Sequence, residues 1–338
     1  MKNKMKRRIY YRIFLAAAVG ISVLAGCSDD KAESQATYRQ AGITYMEQGD
    51  YANAVVAFEA ALQQKIGGVS ADELDISYYK GAAQFANGDL EGAMATYNAI
   101  LDFDDEEADA YYLRGCLYLR QGNTEAGKAD FANAVKYNAK EYELYLNIYE
   151  NLAGAGLIDE GEAYLTQALA LKGDDVANLE YRGRIYYHLG DYESAITDLE
   201  AALEAESVIA NLYLAKTYDA MGDDVTAETY YEAYLATNAT SPEALGAMGT
   251  IMLEKQQYAK AVSYLEAAME NETKTINRAV MQDLVIAYEY NGNFDKAWEL
   301  IQEYVDLFPD DEKAQNEYVF LKNRQMKVEL DSPTVSNE

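Results

Sequence analysis

The chain has 338 residues, with 28 Lys and Arg against 57 Asp and Glu, one His and two Cys, and a net charge of −29. Nucleic-acid binding needs clustered Lys and Arg on phosphates, and adsorption to an anionic lipid surface needs the same, so this composition argues against both. One histidine excludes a zinc site built on several, and leaves little for a cysteine–histidine pair.

In chain order, residues 1–26 do not belong to the fold. Six basic residues (Lys2, Lys4, Lys6, Arg7, Arg8 and Arg12) lead into the apolar run Ile13 to Leu24. That run is too short and too one-sided for an ordinary spanning helix. It ends in Leu24-Ala25-Gly26-Cys27, which resembles a bacterial lipobox. The resemblance implies cleavage before Cys27 and a lipid on its sulfur; the alternative is a plain signal peptide with a chance cysteine. More than one acyl chain would make Cys27 a lasting tether. Cleavage removes six basic residues and no acidic ones, leaving 22 against 57, a net charge of −35. Residues 27–34 are expected as a short linker, placing the fold near the membrane outside the cytoplasm.

From there a glycine or its substitute returns at Gly49, Gly88, Gly122, Gly156, Gly190, Gly222, Gln256 and Gly292. A step near 34 residues marks a stacked helical repeat, in which each unit buries its apolar face against its neighbours. Around the markers stand Tyr38, Gly42, Tyr45, Ala54, Phe58 and Ala61 in the first unit. Tyr111, Gly115, Tyr118, Phe131 and Ala134 match them in the third, and Leu179, Gly183, Tyr186, Ala195, Leu199 and Ala202 in the fifth. This large–small–aromatic, then alanine–aromatic order closely resembles the tetratricopeptide repeat. The resemblance covers residues 35–325 and implies an all-α, right-handed solenoid of eight helix-turn-helix units.

Departures carry their own expectations. Tyr149 stands where a small residue belongs, so packing in the fourth unit should be looser or shifted. Gln256 replaces the turn glycine of the seventh. The long first step holds Gly67-Gly68-Val69-Ser70-Ala71, a surface loop. Ala314, Tyr318 and Leu321, at i, i+4 and i+7, predict a capping helix over 312–325, which covers the apolar face an end repeat leaves open. Residues 326–338 lack periodicity and are expected as a disordered tail.

The resemblance also implies a concave groove lined by the first helices. Its exposed positions would be Tyr78, Phe85, Tyr112, Arg120, Glu150, Arg184, Tyr187, His188, Lys216 and Asp219. Aromatic and basic residues in a row could hold a peptide by apolar contact, with Arg184 and Lys216 engaging carboxylates. The competing reading is a solvated face without a partner. Some relatives grip a terminal carboxylate with Lys and Asn; here that first-helix pair is Arg39 and Ile43, so that clamp is not implied. Acidic runs such as Asp102 to Asp109 suit solvated helix starts and lack the spaced glycine of a calcium loop. Cys116 and Trp298 read as packing residues. No catalytic residue, metal or cofactor is expected. The sum is a membrane-tethered extracytoplasmic scaffold for a protein or peptide of the envelope, with a surface protein for substrate or solute capture as the alternative and an enzyme as the remote third.

Overall fold

The computed structural model describes residues 30–64, 69–171, 176–272 and 277–331. The leader 1–26, Cys27, Gly67, Gly68 and the segment 332–338 lie outside the described residues. Within them the chain is helical throughout, with no strand. The first pairs are α1 (Asp30–Glu47) with α2 (Tyr51–Leu62), and α3 (Ala71–Ala86) with α4 (Leu90–Phe103). Next come α5 (Ala108–Arg120) with α6 (Thr124–Tyr137), and α7 (Tyr142–Gly154) with α8 (Ile158–Leu169). Then α9 (Val176–His188) pairs with α10 (Tyr192–Glu204), and α11 (Val208–Ala220) with α12 (Asp224–Leu235). The last pairs are α13 (Pro242–Glu254) with α14 (Tyr258–Asn271), and α15 (Arg278–Tyr290) with α16 (Phe294–Leu307), before α17 (Glu312–Asp331). Helices pack on their sequence neighbours, as an α-solenoid requires. Contacts divide the chain after Tyr164 into two compact units, each built on this plan.

The recurring glycine–acid pair has two jobs in one turn. Gly49 ends α1 at φ +72°, a left-handed conformation that costs a residue without Cβ least. Asp50 then caps α2: its carboxylate accepts from the Asn53 N–H, 3.2 Å away. Asp89, Asp191 and Asp223 cap α4, α10 and α12 the same way. Gln256 adopts the same backbone shape at φ +58°, so the seventh turn keeps its form without its glycine.

The core layer comes from the second helices. Nine residues after each turn marker stand Phe58, Tyr97, Phe131, Leu165, Leu199, Tyr231, Leu265 and Ile301, all buried. The small residue of the first helix makes room for them. A Cβ on Gly42 would stand 2.5 Å from the Phe58 ring, on Gly81 2.6 Å from Tyr97, and on Gly115 2.8 Å from Phe131. The fourth pair reverses the arrangement. Tyr149 fills the small position on α7, and Gly161 on α8 gives way; a Cβ there would lie 2.9 Å from the Tyr149 ring. The spacing is kept by moving the small residue across the hairpin, which is the shifted packing expected of this unit.

Three expectations change. Tyr38 and Tyr45 are exposed instead of packed, because no described helix precedes α1 to cover them. The first helix begins at Asp30, so positions 30–34 are helix and not linker. The last helix continues to Asp331, past the expected end at 325, since no Gly or Pro interrupts the run before Pro333. Its inner face carries the predicted Ala314, Tyr318 and Leu321: Ala314 and Leu321 are buried, and Tyr318 stacks on Trp298 at 5.2 Å.

Candidate protein-docking face

Successive first helices touch one another: α1 on α3, α5 on α7, α9 on α11 and α13 on α15. A side chain on that side therefore meets residues one repeat away, about 30 positions along the chain. Arg39 pairs with Asp75 at 2.7 Å, and Lys216 with Glu243 at 2.6 Å.

In the first unit the predicted residues do not form one cluster. The Arg120 guanidinium lies 5.4 Å from the ring centre of exposed Phe85. Tyr112 leans on Phe131 at 5.9 Å and its hydroxyl accepts from the Asn151 amide at 3.0 Å. Glu150 is exposed. Tyr78 is a correction: it is only 7 % exposed, and its hydroxyl alone reaches out, donating to Glu107 at 3.1 Å. The reason is geometric. The position one after the packing residue faces the next first helix, where Leu146 and Leu212 are buried at the same register. Below Tyr78 the acids crowd. Burial, then Glu107, Glu141 and Glu143, push the Asp109 carboxyl up to about 6. Burial also pushes the Cys116 thiol up to about 12, which makes it unreactive at neutral pH.

In the second unit four predicted residues converge on one that the sequence reading passed over, Tyr213. Its ring is edge-to-face with Tyr187 at 5.7 Å and with His188 at 6.1 Å. The Arg184 guanidinium and the Lys216 ammonium each lie 4.9 Å from its centre, and Lys216 also stands 5.3 Å from Tyr187. Carboxylates complete the rim: Glu243 holds Lys216, and Glu180 lies 3.7 Å from Arg184. Burial, then Lys216 and Arg184, push His188 down to about 4, so it is neutral at pH 7. Burial alone would lower Lys216, but Glu243 and the tyrosines outweigh it and the ammonium is held more firmly than usual. Asp219 lies outside this cluster, at the surface, where partial desolvation of its carboxyl and then the nearby Asp224 raise it. Tyr213 falls on neither the packing nor the groove offsets of its repeat, so no sequence rule points to it. It is buried, yet it is the floor on which the two cations sit.

Tetratricopeptide-repeat family models match residues 39–108, 108–141 and 176–207. Over those segments the chain carries tetratricopeptide repeats. A tetratricopeptide-repeat protein of Methanocaldococcus jannaschii is 30 % identical over 139 residues, covering 37 % of this chain and 24 % of its own length. Human DnaJ homolog subfamily C member 3 is 25 % identical over 152 residues, covering 40 % and 30 %. The match thus spans less than a third of either curated relative. Among solved structures, a tetratricopeptide repeat protein from Parabacteroides merdae superposes with a TM-score of 0.55 at 16 % identity, covering 75 % of this chain and 99 % of that one. PilW, a type IV pilus biogenesis factor, gives 0.50 at 19 % identity, covering 62 % and 97 %. These likenesses concern the fold. Tetratricopeptide pairs explain why the site is split between repeats: each first helix supplies a few side chains, and the neighbour supplies their partners.

Proposed function

We propose that this tetratricopeptide-repeat chain is a non-catalytic scaffold, tethered by a lipid on Cys27 at the extracytoplasmic face of a cell membrane. Its work is to hold a protein or peptide of the envelope for assembly, secretion or recruitment of a wall enzyme. The observation that carries the docking role is the cluster on α9 and α11. Two cations lie on a tyrosine floor, each already beside a carboxylate and each still partly exposed. A partner's carboxylate can replace Glu243 or Glu180, while Tyr187 offers apolar contact. The leader, the lipobox-like sequence and the acidity of the mature chain support the tether and exclude a lipid-headgroup partner.

Recovery of partners from solubilised membranes tests the reading. Wild-type chain should bring down a protein in stoichiometric amount, and Lys216→Ala should lose it while costing only about 1–2 kcal/mol of stability, as for one half-buried ion pair with a cation–π contact. Equal recovery by Lys216→Ala and Tyr187→Ala would refute docking at this cluster. The tether is tested separately: Cys27→Ala should abolish lipid labelling and leave an uncleaved precursor.

A further inference from the structure

The last helix has a second apolar stripe that none of the described residues covers. Its inner face, with Ala314, Tyr318, Leu321 and Gln325, is occupied: Gln325 donates to Asp295 at 2.9 Å, and Arg324 lies over Phe294 at 3.5 Å. On the opposite side Asn316, Val319, Phe320 and Asn323 follow one another at i, i+3, i+4 and i+7, all exposed. Val319 is 52 % and Phe320 56 % exposed. Among the described residues these are the only two large apolar side chains adjacent in sequence that both stand in solvent. Scattered apolar residues on a surface need no explanation, but a stripe on a terminal helix does.

Charge identifies the occupant. The chain carries −29, so most of its surface repels a second copy. The last helix adds nothing to that repulsion: Glu312, Glu317, Glu329 and Asp331 are balanced by Lys313, Lys322, Arg324 and Lys327, a net charge of zero. The stripe is also its own complement. About a two-fold axis between positions 319 and 320, Val319 meets Phe320 and Asn316 meets Asn323. An isologous pair needs this kind of self-matching, and paired side-chain amides satisfy each other's donors and acceptors.

We propose that α17 is a homodimerisation helix, packing antiparallel on α17 of a second copy through Asn316, Val319, Phe320 and Asn323. One helix then has two duties. Its inner face closes the eighth hairpin, and its outer face joins two chains, doubling the docking faces on one assembly. This does not depend on the partner proposed above.

Sedimentation of the full chain tests it across about a hundredfold range of concentration, each tenfold step in the dissociation constant being ~1.4 kcal/mol. The expected result is a reversible monomer–dimer equilibrium. Phe320→Glu should weaken it by about thirtyfold or more, because each dimer loses the anchor twice, with the helical circular dichroism unchanged. Asn316→Cys/Asn323→Cys should form a disulfide-linked dimer under mild oxidation, since the antiparallel register brings these positions together. Half-buried Cys116, whose thiol stays protonated, does not compete. A monomer at every concentration overturns the proposal. So does a dimer that survives Phe320→Glu, or one abolished instead by Tyr38→Glu on α1, which would mean head-to-tail association.

Discussion

Truncating Phe131 probes the central device of the fold, a large second-helix side chain seated over a missing Cβ. The ring is fully buried against Gly115, with Tyr112 leaning on it at 5.9 Å. Core Phe→Ala changes cost about 3–5 kcal/mol, and the cost grows with the cavity that cannot collapse. Here one wall is the bare backbone of a helical glycine, which has no side chain to swing inward, so Phe131→Ala belongs near ~4 kcal/mol. Phe131→Leu should cost only about 1 kcal/mol, because the shape change is modest; Leu199 over Gly183 and Leu265 over Gly249 already pack this way in the same chain. Gly115→Ala has two opposed terms: overpacking of about 1–3 kcal/mol, less the ~1 kcal/mol by which Ala favours a helix. Native-state hydrogen exchange is the right assay, since repeat arrays lose structure locally. Protection of α5 and α6 should fall roughly a thousandfold in Phe131→Ala, at ~1.4 kcal/mol per tenfold, and about fivefold in Phe131→Leu. Equal losses in the two variants would show that the ring does not seat over Gly115, and the account of the hairpin interface would fail with it.

The remaining predictions follow from single groups. His188 is depressed from 6.5 to about 4, so the unfolded chain takes up a proton there that the folded chain refuses. Its contribution is complete above pH 6.5 and is lost as pH falls toward 4, at most roughly 3 kcal/mol; His188→Gln should flatten the stability curve in that window, and the one histidine resonance should titrate well below pH 6. Gln256→Gly should raise the melting temperature, as relief of a left-handed non-glycine residue slightly exceeds the added freedom of the unfolded chain, a net of about 0.5 kcal/mol. Gly190→Ala, at φ +74°, should do the reverse by about 1 kcal/mol; a stabilised Gly190→Ala would contradict the cap. Deleting residues 312–338 should expose the core beside α16, raising exchange in 278–309 while α1 to α4 keep their protection; uniform loss would mean one cooperative block.

Periodicity determined most of this architecture before any coordinates. The turn glycines carry a backbone requirement, and the aspartate that follows four of them a capping hydrogen bond, both local, so they are readable one repeat at a time. The second-helix aromatics and the small residues opposite them are likewise set within a hairpin, and Phe58, Phe131 and Leu199 are core where expected. What lay beyond the sequence were contacts between repeats. Tyr78 reads as a groove residue by offset, yet the next first helix covers it. Tyr213 matches neither the packing nor the groove offsets, yet it carries Arg184 and Lys216 on its face. Tyr149 reads as a fault until Gly161, twelve residues on, is seen to yield the space. Helix formation and turn chemistry act over four or five residues, and a sequence shows them directly. Which side of a helix its neighbour covers depends on how hairpins stack, and only the tertiary structure decides that.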